Sequence, residues 1–162
     1  MQNQNFAHRL CLTAAAAALT FLRTVIPKIP MPLGYADLGD AVIFLLPFFL
    51  RRRDAALAAA VGSALADLLG GFPIWILPTL LIKYGMVCIA APFAGHYFLR
   101  AAAGFALSSL WMAAGYTLFG AIFYDSLETG LLQLPGLLAE GAVNTAVALI
   151  LLIVFNKTEF LK

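Results

Sequence analysis

"GSALADLLGGFPIW", from Gly62 to Trp75, combines three signals that together decide the fold. Ala58, Gly62, Ala66 and Gly70 recur at steps of four, with Ala55, Ala59 and Ser63 beside them. Small residues at that spacing let another helix backbone approach closely, a packing mode characteristic of helices in lipid. Gly70, Gly71 and Pro73 then interrupt the helix before Trp75, and a second apolar run starts at Ile76. The stretch therefore reads as the tip of a helical hairpin, with Asp67 about one turn below it.

The composition on either side carries the same message. Of 162 residues, 63% are hydrophobic and 11% charged, and the mean hydropathy is +0.94. Soluble domains have roughly 45–50% apolar and about 25% charged residues. The sequence thus predicts an all-α membrane protein, a compact bundle of six transmembrane helices forming a single domain over residues 1–162. Spans of about 20 residues use most of such a chain, leaving no room for a soluble catalytic or nucleotide-binding module.

Hydropathy and helix breakers place the helices at His8 to Ile26, Gly39 to Leu50, Asp54 to Leu69, Ile76 to Tyr97, Ala101 to Tyr124 and Pro135 to Phe155. The longest connection, "PKIPMPLGYADLG" from Pro27 to Gly39, is too rich in proline and glycine for a regular helix. With both termini in the cytoplasm, Arg9, Arg51, Arg52, Arg53, Arg100, Lys157 and Lys162 lie inside and Lys28 alone lies in an outer loop. This is the orientation that the positive-inside rule favours, and it predicts a multi-pass protein of the bacterial plasma membrane. The second helix, at about 18 Å, is too short for a hydrocarbon layer of about 30 Å. The preceding loop must then fold inward, which irregular backbone tolerates only in protein or beside a cavity.

The ionisable residues at depth point to the same outer cavity. Asp67, Lys83, Glu140 and Asn144 all fall in the outer halves of their helices, and Asp40 begins the second. On insertion scales a charge at the bilayer centre costs about 2.5–3.5 kcal/mol, so such groups pair or face water. Asp67 with Lys83 is read as an ion pair or, alternatively, as a ligand contact. Glu140 and Asn144 share a helical face and either line the cavity or bond between helices. Asp40, before "AVIF", reads first as an N-cap. Trp75 and Tyr35 read as interfacial aromatics able to stack on a flat ring at the cavity mouth.

Several chemistries lack their motifs. There is no phosphate-binding loop, no H-E-x-x-H, no G-x-S-x-G and no Cys/His cluster, so neither a catalytic residue nor a metal site nor a cofactor is assigned. A net charge of +2 without a basic, aromatic-rich face gives no support to nucleic-acid binding. Three functions remain on the residues alone: capture of a small solute, stand-alone ion-coupled transport with Asp67, Lys83 and Glu140 as the relay, or a membrane scaffold or assembly factor that takes no small-molecule ligand.

"LGDAVIFL" at Leu38 to Leu45 and "GSALADLLGG", Trp75 and "PTLLIK" through Lys83 resemble the substrate-capture subunits, or S components, of energy-coupling factor vitamin transporters, in particular the riboflavin-type branch. The resemblance implies no enzyme activity and a bundle that binds a water-soluble vitamin or precursor, a pyrimidine, a pyridine or riboflavin, from the outer face. It also implies membrane lipid around the bundle and docking onto a transmembrane coupling subunit driven by two cytoplasmic ATPases, through small residues such as Ala14 and Ala18. The ligand region it implies runs from Tyr35 to Asp40 and along the outer ends of helices four to six, which adds Tyr84 to Asp67, Trp75, Lys83, Glu140 and Asn144. The turn "RRRDAA" at Arg51 to Ala56 is more basic than the glycine-containing turn usual in that family.

Overall fold

A computed structural model describes residues 6–26, 29–31, 34–95 and 97–158. Lys28 and Lys162, used above for orientation, lie outside the described residues. Six helices make up nearly all of it: α1 (Phe6–Val25), α2 (Gly39–Phe49), α3 (Arg52–Gly70), α4 (Ile76–Ala90), α5 (Phe98–Phe123) and α6 (Leu127–Lys157). Between α1 and α2 the chain forms a short antiparallel hairpin, β1 (Ile29–Met31) with β2 (Gly34–Ala36), in which Pro30 faces Tyr35 in register. The described residues of the proline-rich loop are thus non-helical, as expected, but more regular than its composition suggests. Three helical stretches, Pro73–Phe93, Phe98–Phe123 and Leu127–Lys157, are long and apolar enough to cross a membrane.

Two helix boundaries differ from the sequence reading. Pro135 does not start α6 but lies inside it. The helix begins where the Ser126 hydroxyl accepts from the Thr129 backbone N–H at 3.2 Å, satisfying one of its free amides. The turn before it is correspondingly tight, with Asp125 at φ 48°, a left-handed conformation that aspartate tolerates. At the other boundary, α4 ends at Ala90 and continues as one 3₁₀ turn, Ala91–Phe93, because Pro92 lacks the N–H that another α-turn would need.

The helices alternate in direction, and α1, α3, α4, α5 and α6 are successive neighbours around the short α2, which touches α1, α3, α4 and α6. Ile43 and Phe44 of α2 are fully buried, and Phe44 stacks on Phe105 of α5 at 5.0 Å between ring centres. At the end where α1 begins, the Arg9 guanidinium spans both carboxylate oxygens of Asp54, with distances of 2.9 to 3.2 Å, and ties α1 to the start of α3. The opposite end carries the hairpin.

The small-residue face of α3 is consumed within the bundle. Ala55, Ala58, Ala59, Gly62, Ser63 and Ala66 are buried, and a side-chain carbon on Gly62 would lie 2.5 Å from the Ala17 carbonyl oxygen and 2.9 Å from Thr20 Cβ of α1. Thr20 and Thr24 are the buried residues of α1, whereas Ala14 and Ala18 face outward and are exposed. A substitution at Gly62 must therefore push two helix backbones apart. We expect Gly62→Val to destabilise the protein by about 1–3 kcal/mol, the usual cost of overpacking, read as a lowered unfolding temperature in detergent. An unchanged unfolding temperature would contradict the α1–α3 contact.

Candidate functional site

The site begins with the problem of starting α2 inside a bundle. The first amides of a helix have no partner of their own, and water does not reach these. Leu38 stands at the N-cap and supplies no side-chain bond. Asp37 Oδ1 instead accepts from the Gly39 N–H, and Asn144 Oδ1 of α6 accepts from the Ala41 N–H at 2.9 Å. Asn144 Nδ2 donates in turn to the Asp37 carbonyl at 2.7 Å and to the Glu140 carbonyl at 3.0 Å. Glu140 Oε1 accepts from the Asp37 N–H at 3.2 Å. Two α6 residues four positions apart therefore clamp the junction between hairpin and helix.

Asp40 is thereby released from the capping role expected of it. Its carboxylate accepts from Lys83 Nζ of α4 in a buried ion pair, with side-chain exposures of 1% and 5%. This corrects the expected pairing of Lys83 with Asp67. The hairpin of α3 and α4 does bring Asp67 to similar depth, but α2 inserts a nearer carboxylate. Lys83 Nζ also stands 5.5 Å from the centre of the Tyr116 ring, and the Tyr116 hydroxyl lies 3.0 Å from Thr79 Oγ1.

These groups border a cavity of about 60 Å³ near the hairpin end of the bundle. Acidic residues Asp37, Asp67 and Glu140 line it, together with Lys83 and the polar side chains of Thr24, Ser63, Thr79 and Gln133. Phe72, Trp75, Tyr116 and Leu137 complete its wall. Trp75 is buried, not interfacial, and packs against Tyr116 and Phe123 at 5.6 and 5.4 Å between ring centres. Such a cavity has room for a few waters, well short of the roughly 300–1,000 Å³ of ligand pockets.

Of the residues singled out from sequence, Asp67, Trp75, Lys83 and Glu140 meet at this cavity, while Asp40 and Asn144 are buried behind it and hold its wall. Tyr84 does not join them. One position past Lys83 it points about 100° around the helix, is 39% exposed and lies outside the lining. Tyr35 belongs to β2, and its side chain lies outside the described part of the structure. Asp37 lies within the stretch from Tyr35 to Asp40 that the resemblance implies, whereas Ser63, Thr79, Tyr116 and Gln133 were not among the site residues read from the sequence. Gln133, a lone amide in the apolar run "LLQLPGLL", was the clearest available signal.

The pair of Lys83 and Asp40 has a measurable signature. Removing one partner of a buried pair strands the other charge, a cost of about 3–5 kcal/mol. We expect Lys83→Met to lower the unfolding temperature sharply and the double change with Asp40→Asn to restore most of the loss. If Lys83→Met unfolds like the unaltered protein, the pair does not hold the fold.

Comparison with known proteins bears on this arrangement. Residues 4–157 match the family model described as ECF-type riboflavin transporter, S component. An uncharacterized protein in the gap 3'region of Pyrococcus woesei is 42% identical over 62 residues, a match that covers 37% of this chain and 41% of that relative. The chain thus spans about two fifths of the length of the curated relative it matches.

Proposed function

Because the chain belongs to the ECF-type riboflavin transporter S-component family, we propose that it captures a water-soluble vitamin or vitamin precursor at the outer membrane face and delivers it through a partner module. The family is one of substrate-binding subunits for vitamin uptake through the membrane, not of enzymes. The observation that carries the reading is the collection of Asp37, Asp67, Lys83, Glu140 and Gln133 around one cavity near the hairpin end of the bundle.

The end with Arg9, Arg51, Arg52, Arg53, Arg100 and Lys157 is assigned to the cytoplasm by its basic residues, which turns the cavity outward. All six helices then count as spans of one domain, α2 being completed by the hairpin above it. Capture requires the cavity to expand, since its present volume is far below that of a vitamin. The hairpin joins the cavity wall directly through Asp37, so displacement of β1 and β2 is the simplest route of entry. Tyr35 is placed on that moving element, and Trp75 offers the ring surface.

Delivery is assigned to a transmembrane coupling subunit with two cytoplasmic ATPases. Ala14 and Ala18 remain the docking candidates, because they lie on the face of α1 that α3 leaves uncovered. A flat, small-residue surface accepts a partner helix closely. The expected outcome is that Ala14→Leu combined with Ala18→Leu leaves ligand binding to the purified protein intact and abolishes uptake by cells carrying the coupling module. Uptake that persists with both leucines present would refute the docking assignment. The purified protein in liposomes should bind ligand without accumulating it under an imposed proton or sodium gradient. Gradient-driven accumulation would establish an ion-coupled carrier instead.

A further inference from the structure

The end opposite the hairpin holds a feature that neither capture nor the Ala14 and Ala18 face uses. Between the start of α1, the end of α2 and the start of α3 lies a cleft of about 290 Å³. Arg9, Arg51 and Asp54 form its polar side, and Leu12, Phe48 and Phe49 its apolar side. Phe49 packs edge-on against Phe155 of α6 with 5.7 Å between ring centres, so α6 ends at the same wall with exposed Lys157 in its last turn.

Charge at this end is unbalanced. Asp54 is the one carboxylate there among the described residues, and Arg9 occupies it. Arg51, Arg52 and Arg53 are exposed, and their guanidinium groups make no ion pair among the described residues. Arg9 itself is only partly spent. Its Nε and Nη2 donate to Asp54, which leaves Nη1 with two hydrogens and no acceptor among the described residues. Asp54 thus fixes one guanidinium at the cleft without using its full donor set. Orientation in the membrane needs only positive charge at this end; it needs neither a recess nor an arginine held in place.

The two sides of the cleft define its occupant. Planar guanidinium groups match phosphate oxygens through paired N–H donors, so the polar side suits a phosphate group of net negative charge. The apolar side is open, with Phe49 44% and Leu12 37% exposed. A soluble phosphate would leave that surface bare, and an acidic protein segment would answer the arginines alone. A phospholipid answers both, because its phosphate and acyl chains are joined at the depth where head groups meet hydrocarbon. Basic pockets between spans bind anionic head groups for this reason.

We propose that this cleft holds one anionic phospholipid, with Arg51 and Nη1 of Arg9 on its phosphate and Leu12, Phe48 and Phe49 along the upper part of a chain. The proposal rests on the assignment of the helices as spans and is independent of what the cavity under the hairpin captures.

The test is native mass spectrometry of the full chain released from nanodiscs of equimolar dioleoylphosphatidylglycerol and dioleoylphosphatidylcholine. Both faces of such a disc carry the same lipids, so the result does not depend on which end of the bundle faces the cytoplasm. One phosphatidylglycerol should stay bound, enriched roughly five- to tenfold over phosphatidylcholine, since a basic residue near an anionic surface contributes about a fivefold preference. Arg51→Gln should remove most of the enrichment, and Arg51→Lys should restore only part of it. The comparison of the two lipids on the unaltered protein stands even if a variant fails to fold. Enrichment that survives Arg51→Gln puts the lipid elsewhere and overturns the site. Displacement of the lipid by free glycerol 3-phosphate overturns it in favour of a soluble phosphate. Equal retention of the two lipids overturns it too, and loss of the coupling subunit from Arg51→Gln protein would then give the cleft to an acidic partner segment.

Discussion

A buried ion pair between Lys83 and Asp40 fixes the shortest helix of the bundle at a depth it would not hold by its own length. An 11-residue helix reaches only about 16 Å, so its upper end must stop well inside the protein. Left there without partners, the first turn of α2 would expose amides and a carboxylate to an apolar interior. Lys83 answers the carboxylate, Asn144 and Asp37 answer the amides, and Glu140 holds the loop above. Everything that forms the cavity is in this sense a response to one helix that begins too low.

The rest of the bundle divides its surfaces accordingly. Polar side chains gather where α2 begins, whereas the remainder of the core is made of alanines on α3 and large apolar residues such as Phe44, Phe105 and Met112. Close approach of α1 and α3 through Gly62 leaves no width for long side chains between them. The outer faces carry Leu57, Val61, Leu65 and Leu68 on α3 and Ala14 and Ala18 on α1. One end is built for polar contact, and the flank for contact with apolar neighbours.

Much of this is legible in the amino-acid sequence. Hydropathy found every helix, and the short second one already implied a loop folded inward. The errors came from long-range choices that local patterns do not encode. Asp40 sits where a cap should sit, yet the capping comes from Asp37 and from Asn144, more than a hundred positions away. Asp67 and Lys83 share one hairpin and so looked like partners, but Asp40 of α2 lies nearer to the ammonium. Pro135 resembled a helix start because proline suits a first turn. Ser126 had the stronger claim, and the intervening Thr129 and Gly130 disguised helix as turn. Gln133 went unnoticed because one amide in an apolar run carries no periodic signal.

Pro135 inside α6 has a mechanical corollary. Lacking an amide hydrogen, it leaves the Leu131 carbonyl without its usual i+4 donor. The rod is weakest at that joint. Gln133 rides on the upper segment and Glu140 on the lower, so any guest gripped by both splints the two pieces together. Occupancy of the cavity would in this way convert a jointed strut into a rigid one, and the stiffness of α6 would report whether the protein is loaded.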